Sequence, residues 1–200
     1  MNATPESVLD FWFGASGSAS EIAGRQRKLW FGKSAENDQA VSDRFAATLA
    51  AASAGKLDHW ANNPRGRLAL VIVLDQFPHH IFRDQPQAFA TDPQALALSL
   101  AALTANEDRR LTPIERVFLY LPLEHAESIE MQERSVSFYA ALASEVSTDE
   151  RALFEDFLNY ARKHRDVVAR FGRFPHRNTI LGRPSTPDEV EFLKQPGSRF

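Results

Sequence analysis

Three short segments of the chain carry side chains that could bind an anion or transfer protons. They are LDQFPHH at 74–80, LPLEHAES at 121–128 and GRFPHRNTILGR at 172–183. Each segment combines a proline with carboxylate, imidazole or guanidinium groups. Arginine can bind a carboxylate or phosphate through two parallel hydrogen bonds, and histidine changes its protonation near a pKa of about 6.5. We therefore expect the three segments to meet at one polar site.

Asp75 is the carboxylate of the first segment, and it follows seven consecutive apolar residues. A carboxylate that is buried at the end of a helix is unfavourable unless its charge is paired. We expect such a partner, most simply an arginine. We also expect Pro78 to end the helix and to hold Phe77 in an extended conformation. The alternative is that Asp75 forms a purely structural ion pair or caps the next turn.

Glu124 and His125 are the candidate acid and base of the second segment. Pro122 should kink or restart its helix, which would place Glu124, His125 and Glu127 in the first turn after the break. Two carboxylates and an imidazole could exchange protons or bind a metal. The chain contains neither HExxH nor the Glu-x-x-His pair of di-iron bundles, so we predict no metal site. Helix capping and salt bridges are the alternative role for these carboxylates.

The third segment supplies the cationic groups. Its polar side chains that we expect to face a ligand are Arg173, His176, Arg177 and Asn178. His176 is a second candidate base, because its imidazole titrates near neutral pH. The alternative is that Phe174 fills the core while Arg177 pairs with Asp75 or Glu124, since arginine is the preferred partner of a buried carboxylate.

Two hypotheses for the function follow from these segments. In the first, a polar pocket binds a small, anionic ligand and needs no cofactor; proton transfer would use His125, His176 or Glu124. The residues assigned to ligand binding are Asp75, Gln76, Glu124, His125, Arg173, His176, Arg177 and Asn178. In the second, the charged motifs are structural and the chain is a scaffold whose partner is a peptide or protein.

The elements that must position these residues are helices. Capping boxes, in which a threonine and a glutamate three residues later satisfy each other's free amides, are indicated at Thr112–Glu115 and Thr186–Glu189. Similar signals begin at Thr91 and at Ser147. The apolar run Leu68–Leu74 is predicted to be a buried helix, because no second segment of comparable quality could pair with it as a strand.

Six motifs together match the pattern of a known family. In chain order they are VLDFWFG, LDQFP, AFATDPQAL, YLPLEHAE, RFGRFPHRN and LGRPSTPDEVEFL. The chain resembles the bacterial domain-of-unknown-function family 924, which is placed in the tetratricopeptide-like helical superfamily. The resemblance implies antiparallel helix pairs and no particular activity. After LDQFP, where the family pattern leads us to expect Arg-Asn, this chain has His79-His80.

Composition narrows the class of protein. Two hundred residues with 44% hydrophobic content fit one all-α domain over residues 1–200. A net charge of −3 and a pI near 6.1 argue against a nucleic-acid partner. The absence of cysteine excludes disulfides, thiol nucleophiles and cysteine-based metal sites. The longest apolar run is too short to span a membrane, and no secretory signal pattern is present, so we expect a cytoplasmic location.

Overall fold

Helices form most of the protein in the computed structural model, which describes residues 3–198. They are α1 (Pro5–Phe13), α2 (Ala19–Phe31), α3 (Ala35–Ser53), α4 (Pro64–Val71), α5 (Phe77–Ile81), α6 (Asp92–Thr104), α7 (Pro113–His125), α8 (Ile129–Glu145), α9 (Thr148–Phe171) and α10 (Pro187–Phe192). A π-helical turn, Ile72–Gln76, joins α4 to α5, and 3-10 turns occupy Asp58–Asn62, Pro86–Phe89, Glu107–Arg110 and Pro175–Arg177. Residues 3–198 contain no strand, so the predicted all-α class is confirmed.

Two of the predicted capping boxes form. The backbone N–H of Thr112 donates to Glu115 at 2.9 Å, and Thr186 and Glu189 bond each other reciprocally. The box predicted at Ser147 is wrong, because Glu150 accepts a hydrogen bond from the backbone of Ala19 at 2.7 Å. The start of α9 is thereby attached to the start of α2, and the carboxylate is not available to its own helix.

The apolar run Leu68–Leu74 is helical and buried, as predicted. The helix does not end at Pro78, which corrects the sequence expectation. Instead the chain widens into the π turn, where the Phe77 N–H bonds to the carbonyl of Ile72, and then continues as α5. Phe77 consequently has helical angles, φ −63° and ψ −33°, and is not extended.

Thr91 compensates for the missing N–H of Pro78. A proline at this position cannot donate to the carbonyl four residues before it, which belongs to Leu74. The Thr91 hydroxyl donates to that carbonyl at 2.6 Å. Thr91 therefore does not form the capping box predicted with Gln94, whose side chain donates to a carbonyl of α3.

Pro122 does not break α7, which runs from Pro113 to His125. Glu124 and His125 consequently lie in the last turn of this helix, and Glu127 lies beyond its end. The prediction that they would begin a new helix is wrong. Every residue from 114 to 124 is buried, and burial of that surface stabilises the helix by enough to offset the roughly 3 kcal/mol penalty of an internal proline.

The stretch from α4 through the π turn to α5 lies at the centre of the molecule, and its residues 68–78 are all buried. It packs against α1, α3, α6 and α7. Helices α8 and α9 are joined by two residues and pack along each other as an antiparallel pair. In the part of the chain that the structure describes, no helix has the length and apolar character needed to cross a bilayer.

The segment after α9, residues 172–198, is called the C-terminal segment below. It packs through a small apolar cluster of its own, separate from the main core. The cluster consists of Val167, Val168, Phe171, Phe174 and Phe192. The fold thus brings together the π turn, the end of α7 and the C-terminal segment, which carry the three polar motifs.

Candidate functional site

A buried carboxylate and a histidine form the centre of the site. Asp75 lies in the π turn and is fully buried, and its Oδ1 is 2.9 Å from Nδ1 of His125 at the end of α7. The amide of Gln76 donates to Asp75 Oδ2 at 2.6 Å. The arginine expected beside Asp75 is therefore replaced by an imidazole and an amide. π turns inserted in helices are frequently found at functional sites.

The two groups stabilise each other's charged forms. Burial raises the pKa of Asp75, but the charge and hydrogen bond of His125 outweigh it, so this pKa lies below its ordinary value of 3.8. Burial lowers the pKa of His125, but the charge and hydrogen bond of Asp75, together with the charge of Asp92, raise it by more, to above 6.5. Because Nδ1 is bonded to Asp75, Nε2 is the nitrogen that remains for a ligand.

His125 lines a surface cleft of about 430 Å³. Much of the lining is apolar, from Pro86, Phe89, Ala90, Pro93, Leu96, Ala126 and Leu181. The charged or titratable residues at the cleft are Asp92, His125, Glu127 and Arg177. A concave apolar wall with a few convergent polar groups is the usual composition of a small-molecule site.

Arg177 lies between two aromatic rings at one side of the cleft. Its guanidinium carbon is 4.6 Å from the ring centre of Phe89 and 4.7 Å from that of Phe174. Nη1 is 3.3 Å from Asp92 Oδ2, and the buried Nε has no hydrogen-bond partner within residues 3–198. Neither of the carboxylates considered from sequence, Asp75 and Glu124, is bonded to Arg177. The guanidinium is held in place by ring stacking and retains donors for another acceptor.

Asp92, in the first turn of α6, is the carboxylate that pairs with Arg177. Its Oδ1 is buried and without a hydrogen-bond partner among the described residues. Burial raises the pKa of Asp92 to about 6; the charge of Asp75 adds to this effect and that of Arg177 opposes it. A carboxyl group with this pKa can both accept and release a proton near neutral pH.

Glu127 lines the cleft, but both of its carboxylate oxygens accept hydrogen bonds from the protein. Arg183 donates to its two oxygens at 2.6 and 2.8 Å, and the backbone N–H of Phe174 donates at 2.8 Å. Although burial raises the pKa of Glu127, these bonds lower it by more, to below its usual value. Glu127 attaches the C-terminal segment to the loop after α7.

Glu124, which precedes His125 in α7, is buried and does not line the cleft. Its Oε1 is 3.1 Å from Nδ1 of His164, a nitrogen that is also 2.9 Å from the carbonyl of Tyr160. Burial raises the pKa of Glu124 to about 8 and lowers that of His164 to about 3. The contact is therefore between two neutral groups at neutral pH, not an ion pair.

His79 completes the surroundings of His125. The centre of its ring is 5.5 Å from that of His125 and 5.4 Å from that of Phe89. Burial lowers the pKa of His79 to about 3, so the imidazole is neutral. Its Nε2 is a further buried atom with no hydrogen-bond partner in the described part of the chain.

The remaining residues predicted from the third segment do not line the cleft. Arg173 donates through two nitrogens to Glu189, at 2.7 and 2.8 Å, and Asn178 donates to the same carboxylate at 3.2 Å. His176 packs its ring 5.7 Å from that of Phe174. The structure thus brings Asp75, Gln76, Glu124, His125 and Arg177 together, while the other three organise the C-terminal segment.

Comparison with known proteins places the chain in a family. The sequence profile described as "Bacterial protein of unknown function (DUF924)" matches residues 8–197. The chain belongs to the DUF924 family. It is similar to the solved structure of ATU0120, a protein of unknown function from Agrobacterium tumefaciens. The two chains are 37% identical, with 95% of this chain and 96% of the other covered and a TM-score of 0.79. Among curated proteins, none matches.

Sequence reasoning missed three residues of the site in this DUF924 protein. Asp92 resembles an ordinary helix-start carboxylate after Thr91, His164 resembles a core histidine on the apolar face of α9, and His79 was noted only as a departure from the family pattern. Each takes its role from a neighbour that is distant in sequence. Among residues 3–198, no three His, Asp or Glu side chains are grouped as metal ligands are.

Proposed function

We propose that the cleft binds a small ligand by an anionic group held between Arg177 and His125, and that His125 transfers a proton to or from the ligand. The observation that carries the proposal is the buried Asp75–His125 pair, which opens onto an apolar cleft beside an incompletely bonded guanidinium. The proposal rests on the chemistry of these groups, because the family itself is described as one of unknown function.

Two side chains that can donate hydrogen bonds, Arg177 and His125, line the cleft. Of the five N–H donors of Arg177, one makes the 3.3 Å hydrogen bond to Asp92. The contact with Asp75 favours the charged form of His125, whose Nε2–H is a second donor. An acceptor oxygen placed between them would receive charge-assisted hydrogen bonds, which are roughly twice as strong as neutral ones.

The same arrangement supports proton transfer. A general acid or base works best when its pKa lies near the operating pH. The pKa of His125 is raised from 6.5 by Asp75, which also fixes the orientation of the ring. Asp92, whose pKa is about 6, supplies a second proton-exchanging group at the same cleft. His125 is therefore the residue that we assign to proton transfer, and Asp75 and Gln76 are the residues that position it.

Calorimetric titration with isocaproate, a branched apolar carboxylate, tests the proposal. Binding should weaken about tenfold or more in Arg177→Met, because a charge-assisted bond is lost. The exposed Arg110→Met is the matched control and should bind as the native protein does. Perturbation of the His125 imidazole resonances by isocaproate gives an independent readout if Arg177→Met does not fold. Failure of isocaproate and of other small carboxylates and phosphate to bind the native protein would contradict the proposal.

A second function, a tetratricopeptide-like scaffold for a peptide partner, is favoured by a different observation. Arg173 and Arg183 are paired with Glu189 and Glu127 and fix the chain after α9, as a purely structural role requires. The scaffold hypothesis expects Arg177→Met to lower the melting temperature without altering ligand binding. The pocket hypothesis expects Arg177→Met to weaken ligand binding with little change in the melting temperature. The cytoplasmic location expected from the sequence stays a prediction under both hypotheses.

A further inference from the structure

We infer that the ligand of the cleft is a free α-amino acid with an apolar side chain, bound with its carboxylate at Arg177 and His125 and its ammonium group at Asp92. The inference rests on the proposed function, since it names the ligand class of the same cleft. Its independent basis is the Arg177–Asp92 pair, which presents a cationic and an anionic group side by side.

The pair is only partly satisfied by the protein. Arg177 Nε and Asp92 Oδ1 are buried and lack hydrogen-bond partners within residues 3–198. Buried polar atoms without partners are rare in native proteins and commonly mark the place of a bound water, ion or ligand. The two side chains each keep a part of their surface open, 8% for Arg177 and 18% for Asp92. A ligand can therefore contact the open part of each side chain, next to the buried Nε and Oδ1.

The two members need opposite partners. Asp92 Oδ1 needs a donor, whereas the guanidinium needs an acceptor. A simple anion would satisfy Arg177 but would place its charge beside the Asp92 carboxylate, which is unfavourable for the same reason that Asp75 already raises the pKa of Asp92. A molecule with a carboxylate and an ammonium group on the same carbon atom satisfies both members and adds no net charge to the cleft.

The rest of the cleft accounts for the side chain of the amino acid. Phe89, Leu96 and Leu181 supply apolar surface, and the volume of about 430 Å³ leaves room beyond the two polar groups. Burial of a branched or aromatic side chain against such a wall is favourable by about 25 cal/mol per Å². Apolar amino acids such as leucine should therefore bind more tightly than glycine or serine.

The experiment uses calorimetric titration of the full chain with three matched probes at neutral pH. L-Leucine carries both charged groups, isocaproate lacks the ammonium group, and isoamylamine lacks the carboxylate. We expect leucine to bind at least about tenfold more tightly than either analogue, because a hydrogen bond to a charged group is lost in each. Leucic acid, which has a hydroxyl in place of the ammonium group, should bind less tightly than leucine.

Asp92→Asn assigns the ammonium site. It should weaken leucine binding about tenfold or more and leave isocaproate binding unchanged or tighter. Asp149→Asn is the matched control, since Asp149 is an exposed aspartate in the first turn of another helix, α9. If Asp92→Asn does not fold, the order of affinities among the probes in the native protein decides the question.

The outcomes separate the two proposals. If isocaproate binds and leucine binds no more tightly, or Asp92→Asn leaves leucine affinity unchanged, the amino-acid inference is overturned while the anionic cleft stands. Equal affinity for leucic acid and leucine would overturn the ammonium assignment in favour of a hydroxy acid. If leucine binds in the manner expected, both proposals are supported. If none of the probes binds, the proposed function falls, and the inference falls with it.

Discussion

At the scale of single residues, Asp75 favours the charged form of His125. A neighbouring carboxylate raises the pKa of a histidine because it favours the charged imidazolium, and here this effect, together with the charge of Asp92, exceeds the opposing effect of burial. Asp75→Asn keeps the shape of the side chain and removes its charge. We expect the pKa of His125 to fall below 6.5 in this variant, and NMR titration of the imidazole carbon-bound protons measures it.

Asp38→Asn is the control for this titration. Asp38 accepts a hydrogen bond from His80, the neighbour of His79 on α5, at 2.9 Å. That variant should shift the titration of His80 and leave that of His125 unchanged. An unaltered His125 pKa in Asp75→Asn would show that the raised pKa has another origin.

Glu124 gives the stability of the protein a specific dependence on pH. Burial raises the pKa of Glu124 in the folded protein to about 8, whereas the ordinary pKa of a glutamate is 4.5. The folded pKa is raised, so the stability present below pH 4.5 is lost as the pH rises toward 8. Glu124→Gln cannot ionise, and it should match the native protein at pH 4.5 and exceed its stability above pH 8 by roughly 3 kcal/mol or more.

Urea unfolding at a series of pH values measures this difference. Glu155→Gln, a substitution of an exposed glutamate on α9, should follow the pH profile of the native protein. If Glu124→Gln also follows that profile, the carboxyl group is ionised in the folded protein at neutral pH, and its contact with His164 is an ion pair.

Part of this residue-scale picture could be predicted. A carboxylate after seven apolar residues must be buried and must have a partner, and this reasoning identified Asp75 from sequence alone. The identity of the partner could not be predicted, because it depends on how α7 passes Pro122 and delivers His125. Asp92 gave no signal of its own, since a carboxylate in a first helical turn is common for electrostatic reasons.

At the scale of elements, the π turn places Asp75 and Gln76 beside α7 and also accommodates Pro78. The carbonyl of Leu74 is satisfied by Thr91 from the start of α6. Thr91→Val removes this donor and should destabilise the protein by about 1–3 kcal/mol, because the buried carbonyl is left unsatisfied. In a Pro78→Ala background the new N–H of Ala can donate to that carbonyl, so the same substitution should cost less.

Chemical denaturation of the two single variants and the double variant measures this coupling as a double-mutant cycle. Thr104→Val is the matched control, because the Thr104 hydroxyl bonds a carbonyl of its own helix at an exposed position. Additive effects in the cycle would argue against compensation between Thr91 and Pro78.

Local sequence rules predicted helix starts better than helix ends. Thr112 and Thr186 begin their helices with the expected caps, since a cap depends on a few adjacent residues. Pro78 was expected to end its helix and Pro122 to kink or restart its own. The helical course continues past both, because burial of the surrounding apolar residues outweighs the local penalty. A short segment carries no information about that burial, so the effect of an internal proline could not be read from it.

At the scale of the whole molecule, the site depends on a segment outside the main core. Arg177 belongs to the C-terminal segment, which has its own small apolar cluster. Two carboxylates hold this segment: Glu127, from the loop after α7, accepts hydrogen bonds from Arg183 and the backbone of Phe174, whereas Glu189 lies within the segment and accepts hydrogen bonds from Arg173 and Asn178. The all-α class could be predicted from capping signals and periodicity. The contacts of Glu127 and Glu189 could not, because each joins residues that are separated in the sequence.

Glu189 tests whether the C-terminal segment positions Arg177. Its side chain is almost fully buried, and hydrogen bonds led by that of Arg173 lower its pKa to about 2. Because the folded pKa is depressed, the stabilisation is present above pH 4.5 and is lost as the pH falls toward 2. Glu189→Gln removes the charge, and we expect earlier proteolytic cleavage within residues 172–198 and weaker isocaproate binding, although Glu189 does not line the cleft.

Glu191→Gln separates this effect from a general loss of acidic charge, since Glu191 is exposed on the same helix and pairs with Lys194. That control should retain native binding and native resistance to proteolysis. If Glu189→Gln is cleaved early but binds isocaproate normally, Arg177 is held by its stacking on Phe89 and Phe174 and its bond to Asp92, without help from Glu189. If both properties change together, the carboxylate that orders the C-terminal segment from within also determines the geometry of the cleft, because Asn178, bonded to Glu189, is the next residue after Arg177.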